Sequence, residues 1–84
     1  MDKYYLILKF LASLGCVPDV EIKYVHNLET PGMYMDGVVY LRNEKVPSNV
    51  IVHELWHSCQ TGGDYILREK QARKIELMWR EYAD

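Results

Sequence analysis

What this chain has little of narrows it first. It has two cysteines, Cys16 and Cys59, too few for the disulfide scaffold of a small secreted domain. Cys59 falls in a segment patterned as a central helix, so both read as reduced, buried thiols of a cytoplasmic protein; a single pairing between them stays open. No block of like charge occurs: 10 Lys and Arg against 12 Asp and Glu give a formal net charge of −2. The basic residues are scattered rather than patched, so neither a nucleic acid nor an anionic membrane has an electrostatic hold on the chain. No apolar run is long enough to span a bilayer. The best, residues 4–14, is broken by Lys9. Its leader Met1-Asp2-Lys3 carries no net charge, and Ser13 stands where a lipoprotein signal ending at Cys16 wants Leu. Tyr4, Ile7, Leu8, Leu11 and Leu14 instead repeat at i, i+3, i+4, i+7, i+10, the stripe of an amphipathic helix that Gly15 stops.

With 84 residues the chain makes one domain, residues 1–84, whose core is small enough that a bound ion would help it fold. The stretch that could hold one is His53-Glu54-Leu55-Trp56-His57, the pattern H-E-x-x-H. On a helix, residues four apart share a face, so the two imidazoles can converge on one ion. Glu54 then falls beside the open metal position, where its carboxylate can take a proton from water. Val52, Leu55, Trp56 and Cys59 point one way on this helix while Val50, His53, Glu54 and His57 point the other. A helix buried on both flanks has little reason to carry two imidazoles and a carboxylate on one stripe unless something binds them.

Around that helix the pattern predicts a strand over residues 20–25, alternating apolar and charged, then a loop over residues 26–32. Met33-Tyr34-Met35 and residues 38–42 flank Asp36-Gly37, the signal of a hairpin with a type I′ turn. Pro47 suits the first turn of the metal helix, with Ser48 and Asn49 as alternative caps. Gly62 and Gly63 supply its end, and Asp64 caps a last helix running to about Tyr82 with Tyr65, Ala72, Ile75, Trp79 and Ala83 inward. Glu69 and Glu76 lie on the margin of that face. Folding the two helices back about Gly62 puts Glu69 level with the midpoint of His53 and His57, whereas Glu76 comes level with position 48. Glu76 therefore reads as a solvated shoulder residue or a partner of Arg73 or Lys74. Glu69 completes His₂Glu with water in the fourth place, a donor set that favours zinc, with cobalt or nickel able to substitute.

Through His53-Glu54-Leu55-Trp56-His57, the Gly62-Gly63 turn and Glu69-Lys70-Gln71-Ala72, the chain resembles the gluzincin metallopeptidases. It is most similar to their minimal, short-spacer branch, the mini-gluzincins, and its E-x-x-A step resembles the ImmA/IrrE type. The resemblance covers residues 33–72, with specific motifs in the last third. It implies a minimal zincin-like α+β fold of three helices and a three-stranded sheet, Zn²⁺ on His53, His57 and Glu69, and Glu54 as general base. It also implies that the strand before the metal helix binds extended peptide by strand addition, a role falling on Val38, Val39, Tyr40, Leu41 and Arg42. Trp56 stands where many relatives carry a small residue such as Gly. For the oxyanion donor, Tyr65, His26 and Arg73 are the candidates.

These expectations converge on a zinc-dependent endopeptidase acting on a peptide or protein substrate, itself included. The alternative is a zinc-stabilised binding or regulatory protein that does no relevant hydrolysis, and behind it stands a structural domain in which the motif is fortuitous.

Overall fold

The computed structural model describes residues 3–83; Met1 and Asp2, part of the leader considered above, and Asp84 lie outside the described residues. Helix α1 spans Lys3–Ser13. It ends in a left-handed glycine, Gly15 at φ 83°, with the Gly15 N–H donating to the Ala12 carbonyl at 3.0 Å and the Cys16 N–H to the Leu11 carbonyl at 2.9 Å. This pair of bonds satisfies two carbonyls the helix cannot satisfy itself. Its buried face is Ile7, Phe10 and Leu11. Phe10 takes the place expected of Leu8, which is 44 % exposed. The reason is tertiary: the aromatic end of the last helix covers the Phe10 side, with ring centroids 5.4 Å away at Trp79 and 5.1 Å at Tyr82.

The helix stop also aims Cys16 inward, where it is bonded to Cys59 across a sequence separation of 43, with the Cα atoms 5.7 Å apart. The expectation of two free thiols is overturned. The inference to a cytoplasmic protein rested on those thiols and loses that support with them. Among the described residues no helix is long and apolar enough to cross a membrane.

Strands β1 (Glu21–Tyr24), β2 (Gly32–Met35) and β3 (Val38–Leu41) form a mixed sheet in the order β1-β3-β2. The β2–β3 hairpin turns on Asp36 at φ 47° and Gly37 at φ 80°, the positive angles that a type I′ turn demands. β3 pairs antiparallel with β2 and parallel with β1, placing Ile22 opposite Val39. As the central strand it is covered most, with Val39 and Leu41 fully buried. Arg42, just beyond it, ties down the preceding loop: its backbone N–H reaches the Pro31 carbonyl, and its guanidinium donates to the Leu28 carbonyl at 3.1 Å and the Glu29 carbonyl at 2.8 Å.

Helix α2 (Ser48–His57) starts after Pro47, which stands at the N-cap with φ −57° and ψ 145° and not in the first turn as expected, and no side chain caps the helix. Neither Ser48 nor Asn49 serves as the cap expected: both lie inside the helix, and the Ser48 hydroxyl accepts the Trp79 indole N–H at 2.9 Å. Ile51, Val52 and Leu55 are its buried side. The chain reverses through Gly62 at φ 71° and Gly63 at φ 81°. Helix α3 (Tyr65–Ala83) then begins with the Asp64 carboxylate accepting the Leu67 N–H at 2.9 Å, the expected cap. Ala72, Ile75 and Trp79 are buried, while Tyr65 and Ala83, at the ends of the expected stripe, overhang into solvent. The protein is thus α+β, three helices packed with one small three-stranded mixed sheet.

Candidate metal centre

The i, i+4 spacing on α2 brings the His53 and His57 rings together edge to face, with centroids 4.7 Å apart and planes at 75°. Across from them, α3 presents Glu69. Its Oε2 lies 2.8 Å from His53 Nε2 and 3.5 Å from His57 Nε2. One ligand atom from each of the three residues falls within 4.8 Å of the other two, the grouping a metal ion requires. The sequence-based choice of Glu69 over Glu76 as the third member is what the structure shows brought together.

Glu76 is nevertheless not the solvated shoulder residue expected. Its Oε1 accepts from His53 Nδ1 at 2.5 Å. Level counting about Gly62 misplaces it because the chain keeps turning after α2 ends at His57: the N–H groups of Ser58, Cys59 and Gln60 bond back to the carbonyls of Leu55, Trp56 and His57. That tightened tail carries the reversal later in the chain and slides α3 along α2, so Ser48 meets Trp79 and not position 76. The same tail swings Gln60 under His57, whose Nδ1 lies 2.6 Å from Gln60 Oε1. Nothing in the sequence marked Gln60; its position three residues after a ligand, past the helix end, was the available hint.

Both Nδ1 atoms are therefore committed to oxygen acceptors, and both Nε2 atoms face one carboxylate oxygen. Two imidazole nitrogens and a carboxylate gathered at a common spot can hold a positive charge there, either protons on the rings or a metal ion. His53, His57 and Glu69 are thus a group that could hold a metal ion.

Glu54 stands beside this group on the wall of a cleft of about 390 Å³ that it shares with His57, Glu69, Gln60, Tyr65 and Arg68. Burial pushes its carboxyl above the ordinary range; the charges of His53 and His57 pull the other way, and those of Glu69 and Glu76 push with burial. Glu69 goes down: burial alone would raise it, but the charges of His53 and His57, with hydrogen bonds from His53 and Tyr65, outweigh that. Two neighbouring carboxylates with pKa values driven apart are the pattern of groups with different roles.

The opposite rim of the cleft is β2, through Gly32, Met33 and Tyr34, with Thr30 before it. Gly32 lets β2 lie this close: a Cβ there would sit 2.9 Å from Val50 Cγ1 and 3.1 Å from Glu54 Cγ. Residues 38–42, expected at the rim, are elsewhere. β3 is paired on both edges and so offers no free edge, none of Val38, Val39, Tyr40, Leu41 and Arg42 lines the cleft, and the Arg42 guanidinium is spent on the loop. Of the three residues considered for an oxyanion, Tyr65 lines the cleft, while His26 and Arg73 do not; Arg68 does and was not foreseen. Compared with known proteins, the chain matches no family model, no curated protein and no solved structure.

Proposed function

We propose that the protein is a metal-dependent peptidase of minimal zincin-like type, with His53, His57 and Glu69 holding the metal, Zn²⁺ by preference, and Glu54 acting as general base. The observation that carries this reading is the convergence of both Nε2 atoms on Glu69 Oε2 with Glu54 on the adjoining cleft wall. A bound zinc would supply Lewis acidity, making water more acidic and a carbonyl more electrophilic. Glu54 takes the proton from the attacking water and passes it to the leaving amine; its raised pKa makes it a better proton acceptor when ionised. The free edge of β2 offers the backbone of an extended peptide a strand to pair with, beside Glu54. Tyr65 and Arg68 are placed to meet developing charge on the substrate.

The test is hydrolysis of a broad protein mixture by the metal-loaded wild type beside Glu54→Gln. Gln keeps the shape of Glu and lacks the basic oxygen, so the variant should keep the metal and the fold while losing about 10²–10⁴ in rate. Equal cleavage by both proteins would remove Glu54 from the mechanism. A metal-loaded wild type that cleaves nothing would favour the scaffold reading, in which the ion only stabilises a binding protein.

A further inference from the structure

Resting on the metal reading of His53, His57 and Glu69, one set of hydrogen bonds outside the ligands carries the argument further. It starts at Trp56, whose indole nitrogen can only donate. Its partner, 3.2 Å away, is the side chain of Gln71, which must therefore turn its carbonyl oxygen toward Trp56. That same Gln71 oxygen lies 2.7 Å from the Gln60 amide, so the Gln60 atom facing it must be the NH₂. A second, independent acceptor agrees: the Gln60 NH₂ donates to the backbone carbonyl of Arg68 at 3.0 Å, and a backbone oxygen can only accept. With its nitrogen held twice, Gln60 has only its carbonyl left for His57 Nδ1, at 2.6 Å. An oxygen there demands that Nδ1 carry the proton. The lone pair of neutral His57 is thereby left on Nε2, the atom that faces Glu69.

We propose that Gln60 is the positioning residue that fixes the tautomer and ring orientation of His57 for metal binding, and that the Arg68 carbonyl and Trp56, acting through Gln71, hold its amide the required way round. For His53 the corresponding acceptor is a carboxylate, Glu76. For His57 it is a neutral amide, so the ligand is oriented without adding a further negative charge near Glu54 and Glu69. The proposal also gives Trp56 a purpose. Its indole N–H begins the chain of bonds. Trp56, Gln60, Arg68 and Gln71 all line a hollow of about 490 Å³ next to the cleft, and Trp56 also packs against the core.

The experiment reads the His57 tautomer directly, by long-range ¹⁵N–¹H NMR on the full metal-free chain at a pH where the ring is neutral, and zinc affinity separately, by competition with a chromophoric chelator. The wild type should show the Nδ1–H form. Gln60→Leu, which removes the acceptor, should admit the Nε2–H form and weaken zinc by about 10–100-fold, the usual effect of losing an outer partner of a metal-binding histidine. Gln60→Met fills nearly the same space without an amide oxygen for Nδ1 and should lose the Nδ1–H form as Gln60→Leu does, so the two variants tie the effect to hydrogen bonding and not packing even if one of them is less stable. Trp56→Phe frees Gln71 to turn but leaves the Arg68 carbonyl in place, and should move both readouts less than Gln60→Leu does. An Nε2–H tautomer in the wild type would overturn the proposal. So would a Gln60→Leu protein with the tautomer unchanged, or a Gln60→Met protein that keeps both the tautomer and the wild-type zinc affinity. A wild type that takes up no zinc would sink the metal site itself, while the NMR comparison would still decide for or against Gln60.

Discussion

Glu76 shows what one carboxylate can do from outside a ligand set. A hydrogen bond from His53 Nδ1 at 2.5 Å aligns the ring and, on the proposed reading, would keep its other nitrogen for the ion and raise its basicity as a ligand. Glu76→Ala should therefore weaken zinc binding by about 10–100-fold while leaving one ion per chain, and Glu76→Gln, which can still accept through its amide oxygen, should lose less. Competition titration against a chelator of known affinity measures both. An alanine variant that binds as tightly as wild type would return Glu76 to the surface role its helix position suggests. That role was the natural one to read from the sequence. Spacing along one helix shows which residues share a face, and it reached His53, His57 and Glu54 directly, but it does not show how far a second helix slides along the first. The slide is set by the carbonyls that Ser58, Cys59 and Gln60 find at the end of α2. No periodicity encodes it.

All six elements were legible, because each carries its own local signal: the α1 stripe ended by Gly15, the alternation of β1, the Asp36-Gly37 turn, and the Asp64 cap of α3. Strand order was not. Alternation places side chains on one face or the other, but which strand becomes central depends on what lies above and beside the sheet. The buried Val39 and Leu41 show the answer only once the sheet is assembled. The same assembly turns Gly32 from the end of a loop into the closest approach of β2 to the metal helix. Gly32→Ala should cost about 1–3 kcal/mol, as overpacking does, since its Cβ would press on Val50 Cγ1 at 2.9 Å. Trimming the partner tests the cause: in Gly32→Ala with Val50→Ala, urea unfolding should show a smaller loss than the sum of the two single changes. Strict additivity would mean that the strand, not the contact, resists the substitution.

At the scale of the molecule, a core this small has one covalent support, the disulfide, and the proposed ion would be a second. Linking residues 43 apart in sequence removes about 4 kcal/mol of chain entropy from the unfolded state in the loop-closure picture. An ion bound only by the folded form adds stability that rises with its concentration. Reduction and chelation should each lower the melting midpoint in calorimetry, and a chelator without effect on zinc-loaded protein would mean that the ion takes no part in folding. Composition could not reveal the bridge, for a pair of cysteines becomes a disulfide only if the fold brings them together, here with Cα atoms 5.7 Å apart. Its placement matters for how the chemistry is observed. The bond closes a covalent ring over residues 16–59, within which lie all three strands, Glu54 and both histidines, while Glu69 lies outside it. If the protein cuts itself anywhere inside that ring, the pieces stay joined: the intact mass rises by one water and electrophoresis without a thiol reductant releases no fragment. An undivided band from an unreduced sample is therefore no sign of an uncut chain.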